Sequence, residues 1–206
     1  MTGRDVHIID DDEAMRESLD WLLAPLGLRV HTYPGALAFL DVWSAETTGC
    51  IVTDVRMPGM SGLELTDALA RRGSLLPVIV ITGHGDVPQA VRAMRAGAID
   101  FIEKPLDNQL LIERIEEALR LSAARRAEAE QKRQIAGRYH SLTAREREVA
   151  AAVALGRQNK VIAFDLSISQ KTVEIHRANA MAKLGATTAA DLARMLATAG
   201  LLGENP

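Results

Sequence analysis

Over its first 121 residues the chain alternates short apolar runs with helix-patterned stretches, and that alternation leaves few architectures open. The runs are Val6–Ile9, Arg29–Tyr33, Cys50–Thr53, Val78–Thr82 and Ile99–Glu103. Several are continuous and β-branched, as strands covered on both faces are. Between them lie helix-like stretches at Ala14–Ala24, Ala36–Trp43, Gly62–Arg71 and Val87–Ala96, and a fifth begins near Asn108. Gly27, Gly35, Gly49, Gly73 and Gly97 punctuate the series. Five strands alternating with five helices predict an α/β fold, a doubly wound five-stranded parallel sheet. Its expected strand order is 2-1-3-4-5, the flavodoxin-like one.

Beyond Leu121 the apolar stripe of the fifth helix fades into a run of Ala, Arg, Glu, Gln and Lys. These are strong helix formers, and Glu128–Lys132 is a favourable i,i+4 pair. Residues 122–140 therefore read as a helical linker ending near Gly137, a solvated spacer rather than a helix that transmits or pairs. Residues 141–206 carry no strand signal. Thr143-Ala-Arg-Glu146 is a capping-box pattern, and punctuation divides the rest into helices at Ala144–Leu155, Asn159–Leu166, Gln170–Leu184 and Thr188–Ala199. Three segments follow, 1–121, 122–140 and an all-α four-helix module over 141–206.

Charge separates them further. Residues 1–121 hold 11 Lys and Arg against 19 Asp and Glu, a net −8; the linker is +3 and the last segment +2. Two modules with different partners are expected. The apolar fraction of 48% and charged fraction of 25% exclude a disordered chain. No apolar run is long enough to span a bilayer, and the acidic cluster at Asp10–Asp12 comes too early for a signal peptide. The single Cys50 forms no intramolecular disulfide and no Cys-based zinc site. A cytoplasmic protein with no membrane partner is the expectation.

Asp10 and Asp11 end the first strand and Asp54 the third. In the 2-1-3-4-5 order these strands are neighbours, and the crevice at their carboxyl ends is where ligands bind. Three ionised carboxylates around one crevice repel each other. A hard divalent cation resolves the repulsion, and an oxygen-only site suits Mg²⁺. One carboxylate can then attack phosphorus to give an acyl phosphate. Thr82, ending the fourth strand, can offer a hydroxyl to a phosphoryl oxygen, and Lys104, ending the fifth, supplies a cation. Lys104 precedes Pro105, which admits a cis bond. Asp12 and Glu13 read as acids favoured in a first helical turn.

Ile9-Asp10-Asp11-Asp12, Asp54-Val55-Arg56-Met57-Pro58-Gly59, Thr82-Gly83-His84-Gly85-Asp86 and Lys104-Pro105 resemble the receiver domain of two-component response regulators, over residues 4–121. The resemblance implies that Asp54 accepts a phosphoryl group from a sensor histidine kinase. It implies one Mg²⁺ on Asp10, Asp11, Asp54 and the Arg56 backbone carbonyl. Thr82 and Phe101 match the family's switch pair, with Phe in place of the commoner Tyr, and Lys104 senses the phosphoryl group beside them. The face carrying Val91, Arg92, Arg95, Phe101 and Glu103 is implied to become a dimer interface. Such a domain is no enzyme beyond its own phosphoryl transfer and dephosphorylation.

In the last segment, Leu166-Ser167-Ile168-Ser169 joins two helices at helix-turn-helix spacing, with Ser169 as N-cap candidate. At about 100° per residue Val173, Ala180 and Leu184 share one face, and Lys171, Glu174, Ile175 and Ala178 the opposite one. If the first set is core, the second faces outward, where a recognition helix meets the major groove. Lys171 can read guanine, Glu174 can accept from cytosine and Ile175 can touch a thymine methyl. Thr172, His176 and Arg177 flank that face and suit phosphate contacts. Asn159 and Lys160 open the preceding helix, whose first amides can meet phosphate. Pattern alone leaves a plain helical bundle equally open. Leu142-Thr143-x-Arg145-Glu146, Gly156, Asn159-Lys160-x-Ile162-Ala163, Ser169-x-x-Thr172-Val173-x-x-His176 and Lys183-Leu184-Gly185 resemble the LuxR-type DNA-binding domain, over about residues 138–200.

Together the halves resemble the FixJ-type subfamily of the NarL/FixJ response regulators. That implies a transcription factor that dimerises on phosphorylation, is relieved of inhibition, binds operator DNA and works with RNA polymerase, more often activating than repressing. Three rivals remain: a structural receiver that is never phosphorylated, an aspartyl-phosphate hydrolase of small phosphoesters, and a protein-binding receiver with an inert helical tail. The hydrolase lacks an inserted cap and a second general acid.

Overall fold

The computed structural model of the chain describes residues 4–83 and 87–202. Strands β1 (Asp5–Ile9), β2 (Arg29–Tyr33), β3 (Cys50–Asp54), β4 (Val78–Thr82) and β5 (Asp100–Glu103) form one parallel sheet, ordered β2-β1-β3-β4-β5. Register brings Ile9 opposite both Tyr33 and Thr53, so the carboxyl ends of β1 and β3 stop side by side. β1, β3 and β4 are buried along their length. β2 pairs only with β1, and its Arg29, His31 and Thr32 are exposed. It is an edge strand, where charge blunts unwanted pairing.

Side-chain alternation sorts the helices onto two faces. Val6, Ile8, Val52, Ile79 and Ile81 pack with Leu19 and Leu23 of α1 (Glu13–Leu23) and with Leu111 and Ile115 of α5 (Asn108–His140). Ile9, Ile51 and Val80 pack with Phe39 of α2 (Ala36–Val42), Leu65 and Leu69 of α3 (Gly62–Arg71) and Ala93 of α4 (Val87–Ala96). Phe39, Ile51, Leu65 and Ile79 are fully buried, each such side chain contributing about 1.5–3 kcal/mol. Ser61 caps α3 in a capping box with Glu64. Gly62, the first residue of α3, lies against the backbone just before it in the fold: a Cβ there would meet the Asp54 carbonyl oxygen at 2.2 Å.

Helix α5 runs unbroken through Gly137 to His140, past the expected stop. The chain divides into two compact units, Met1–Arg126 and Ala127–Pro206, and residues 122–140 are helical throughout, continuous with the start of α5. The physical reason is packing at each end. Ser122 is buried, and Arg126 donates to the Glu46 and Thr47 carbonyls at 2.7 and 2.9 Å. Ile135 and Tyr139 belong to the core of the second unit.

That core joins Ile135 and Tyr139 to Val149 and Val153 of α6 (Ala144–Ala154), Ile162 of α7 (Asn159–Asp165), Val173, Ala180 and Leu184 of α8 (Gln170–Leu184) and Leu192 and Leu196 of α9 (Ala189–Thr198). The Thr143–Glu146 capping box is formed. Glu146, only 4% exposed, also accepts from Lys183 of α8 at 2.7 Å. That hydrogen bond, with those from Thr143, holds its carboxyl at a pKa of about 2 and fastens α6 to α8. The turn between α7 and α8 places Ser167 at φ 54°, a left-handed position uncommon outside glycine.

Candidate functional site

At the carboxyl ends of β1, β3, β4 and β5 the chain brings together Asp10, Asp54, Thr82 and Lys104. Asp10 and Asp54 are buried, at 3% and 8% exposure. Lys104 Nζ lies 2.7 Å from Asp54 Oδ1 and 3.2 Å from Asp10 Oδ2. The second oxygen of Asp54 accepts the Arg56 N–H at 2.6 Å, a turn in which the strand end closes onto its own loop. The Lys104–Pro105 peptide is cis, and the Lys104 N–H is tied to the Thr82 carbonyl at 2.7 Å. Thr82 is buried.

Electrostatics mark the crevice as short of positive charge. Burial raises the pKa of Asp10, although the Asp12 N–H and Lys104 both act to lower it. Burial pulls Lys104 down, yet its hydrogen bond to Asp54 and the charges of Asp10 and Asp54 prevail and raise it. One ammonium between two buried carboxylates leaves a formal deficit of one positive charge. The donors are all oxygen, the set a hard divalent cation prefers. Asp11, next in the chain, is exposed, and among the described residues no three acidic, His or Cys side chains stand close enough to form a metal cluster.

Phe101 is half-buried against the core shared with α2, α3 and α4. Val91, Arg92, Arg95 and Glu103 are exposed on α4 and β5. Met94, at 51% exposure, adds an apolar residue to that face that the sequence reading passed over. Its helical offset of three from Val91 was the available signal. His84, Gly85 and Asp86 lie outside the described residues.

In the second unit Val173, Ala180 and Leu184 are buried, whereas Lys171, Glu174, Ile175 and Ala178 are exposed. Ser169 caps α8 by accepting from the Thr172 N–H at 3.0 Å. Lys171 Nζ sits 3.4 Å from Glu174 Oε2, so the two outward charges answer each other. Arg177 Nη1 donates to Asn159 Oδ1 at 3.2 Å, joining α8 to the start of α7. Lys160 is exposed beside Asn159, and Thr172 and His176 are half-buried at the flanks.

A parallel sheet with an acidic crevice, followed by a helix-turn-helix, is the architecture of a receiver domain joined to a DNA-binding module. Comparison with known proteins agrees. The family "Response regulator receiver domain" matches residues 6–116, and "Bacterial regulatory proteins, luxR family" matches residues 140–196. The chain belongs to the response regulators that join a receiver to a LuxR-type DNA-binding domain, of the FixJ type. It is 48% identical over 196 residues to the transcriptional regulatory protein FixJ of Azorhizobium caulinodans, covering 95% of this chain and 93% of that protein. It is 48% identical over 200 residues to FixJ of Rhizobium meliloti, covering 97% and 98%. The solved structure of the response regulator StyR matches with a TM-score of 0.82 at 42% identity, over 94% of this chain and 98% of that one. No described helix is long and apolar enough to cross a membrane.

Proposed function

We propose that Asp54 is the phosphoacceptor and that its phosphorylation by a sensor histidine kinase switches on DNA binding. The observation that carries this is the held geometry of Asp54, with one oxygen on Lys104 and the other on the Arg56 N–H, in a buried crevice beside Asp10. A carboxylate oxygen of Asp54 attacks phosphorus, the Asp54 O–P bond forms and the donor's phosphorus–nitrogen bond breaks, and the imidazole leaves. Lys104 offsets charge on the transferred group. Asp10, Asp11, Asp54 and the Arg56 carbonyl would hold one Mg²⁺, which when bound draws charge from the phosphoryl oxygens. The phosphoryl group adds close to two negative charges and three acceptors. Thr82 answers it, Phe101 repacks behind it, and the Val91, Arg92, Met94, Arg95, Glu103 face changes its partner preference toward a second copy.

The second unit then binds operator DNA as one half of a dimer, in the cytoplasm, and activates transcription with RNA polymerase. Lys171, Glu174, Ile175 and Ala178 face the bases; Thr172, His176, Arg177, Asn159 and Lys160 flank the phosphates. The test is intact mass and oligomeric state after treatment with acetyl phosphate and Mg²⁺, for the wild type and Asp54→Asn. One labile phosphoryl group and dimerisation, both lost in the variant, are expected. Phosphoryl uptake undiminished in Asp54→Asn overturns the assignment.

A further inference from the structure

Every polar group of Asp10 is engaged, each by a different part of the fold. Its N–H donates to the Tyr33 carbonyl of β2 at 3.2 Å. Its Oδ1 accepts the Asp12 N–H at 2.9 Å, and its Oδ2 accepts from Lys104 at 3.2 Å. Its carbonyl accepts from Arg16 Nη1 of α1 at 2.8 Å. Three of these four partners belong to the sheet, the turn or the crevice itself. The Arg16 guanidinium alone reaches in from outside, and it enters no ion pair within 4 Å among the described residues.

We propose that Arg16 is a positioning residue for the phosphoryl-transfer site, fixing the Asp10–Asp11 peptide so that the two carboxylates keep their separate orientations. This rests on the reading of the crevice given above. A peptide is planar. Pinning its carbonyl therefore pins the adjoining Asp11 N–H and the Asp11 Cα, the point from which the Asp11 side chain departs. Asp10 stays buried and Asp11 exposed, one step from the crevice. Without Arg16 that peptide loses the hydrogen bond that its carbonyl makes to α1. Asp10 then leaves the Asp12 N–H in part of the population, and binding a cation carries the cost of reordering the turn. Arg16 touches neither carboxylate, so it can be changed with the acids, Lys104 and Asp54 intact.

The experiment is a Mg²⁺ titration of the full chain by calorimetry, with amide NMR of Asp12 as a local reporter, for the wild type, Arg16→Ala and Arg16→Lys. A hydrogen bond from a charged donor supports an expected weakening of Mg²⁺ binding by about tenfold in Arg16→Ala. The Asp12 amide shifts, the Tm falls only by the few degrees that losing one hydrogen bond costs, and Arg16→Lys recovers part of the affinity. At saturating Mg²⁺ the acetyl phosphate reaction of Arg16→Ala returns to the wild-type rate, so the loss lies in half-saturation and not in the chemical step. Mg²⁺ affinity within about twofold of wild type in Arg16→Ala overturns the inference, as does a rate defect that saturating Mg²⁺ fails to cure, or a wild type that binds no Mg²⁺. A wild type that binds Mg²⁺ with the expected dependence on Arg16, but takes up no phosphoryl group, leaves the positioning role standing and removes the phosphoacceptor reading.

Discussion

Replacing Gly62 by alanine tests whether the first turn of α3 holds Asp54 in place. An alanine Cβ would meet the Asp54 carbonyl oxygen at 2.2 Å and the Thr53 side chain at 3.0 Å, roughly 1 Å inside ordinary contact with the carbonyl. The obstacle is backbone, which cannot rotate away as a flexible side chain can. Overpacking of this kind costs about 1–3 kcal/mol, and the backbone contact argues for the upper end. Against it stands the usual gain of about 0.4–1 kcal/mol from restricting the unfolded chain. The strain wins, leaving a net loss of about 2 kcal/mol. For a unit of this size that lowers the Tm by roughly 6–10 °C. Both tryptophans, Trp21 and Trp43, lie in the first unit, so thermal unfolding followed by tryptophan fluorescence reads this unit alone. Displacing the Asp54 carbonyl also disturbs the turn that places the Arg56 N–H on Asp54 Oδ2, and phosphoryl uptake from acetyl phosphate should slow. A Gly62→Ala protein as stable as wild type, with an undiminished rate, refutes the reasoning.

Three further outcomes follow from the same structure. Burial lowers the pKa of His7, whose ring hydrogen-bonds to the Thr48 carbonyl and the Tyr33 hydroxyl. The unfolded chain therefore binds the proton more readily, and stability present above about pH 6.5 is lost as pH falls through that value, by at most about 1.4 kcal/mol per unit; urea midpoints of wild type and His7→Gln should differ in pH slope, and equal slopes reject this. Arg126→Ala removes two hydrogen bonds to carbonyls of the loop before β3, costing about 1–2 kcal/mol; hydrogen exchange should show residues 120–126 losing protection, whereas unchanged exchange would mean that the helix holds there by itself. Glu174→Gln frees Lys171 from its 3.4 Å partner, so non-specific DNA binding should tighten and the slope of log K against log salt steepen by up to about one; a titration between salt concentrations with an unaltered slope would place this face away from DNA.

Much of the fold was legible because it is encoded locally. β-branched runs and 3.6-residue stripes report burial on a sheet or a helix without any knowledge of neighbours, and the boundaries of α3, α4 and α8 coincide with those read from the pattern. The Thr143 capping box is likewise written within four residues. Strand order was also open to inference, since parallel βαβ units permit few topologies, and order brings the ends of β1 and β3 together.

Tertiary structure alone decided what depends on residues far apart in the chain. Arg29–Tyr33 stands at the edge that the expected strand order gives it, but only the fold shows that His7 of the neighbouring strand meets its Tyr33 hydroxyl. The stop expected at Gly137 gave way because Ile135 and Tyr139 bury in the second unit, a packing gain larger than glycine's modest helix penalty of about 1 kcal/mol. Asp10 and Asp11 are adjacent and chemically identical in sequence, yet one is buried on Lys104 and the other exposed. Arg16 gave no sequence signal, because an arginine in a first helical turn is ordinary until the carbonyl it reaches is known. The residue types and their spacing determined which groups meet at the crevice; the direction each group faces was fixed only by hydrogen bonds from elements distant in sequence.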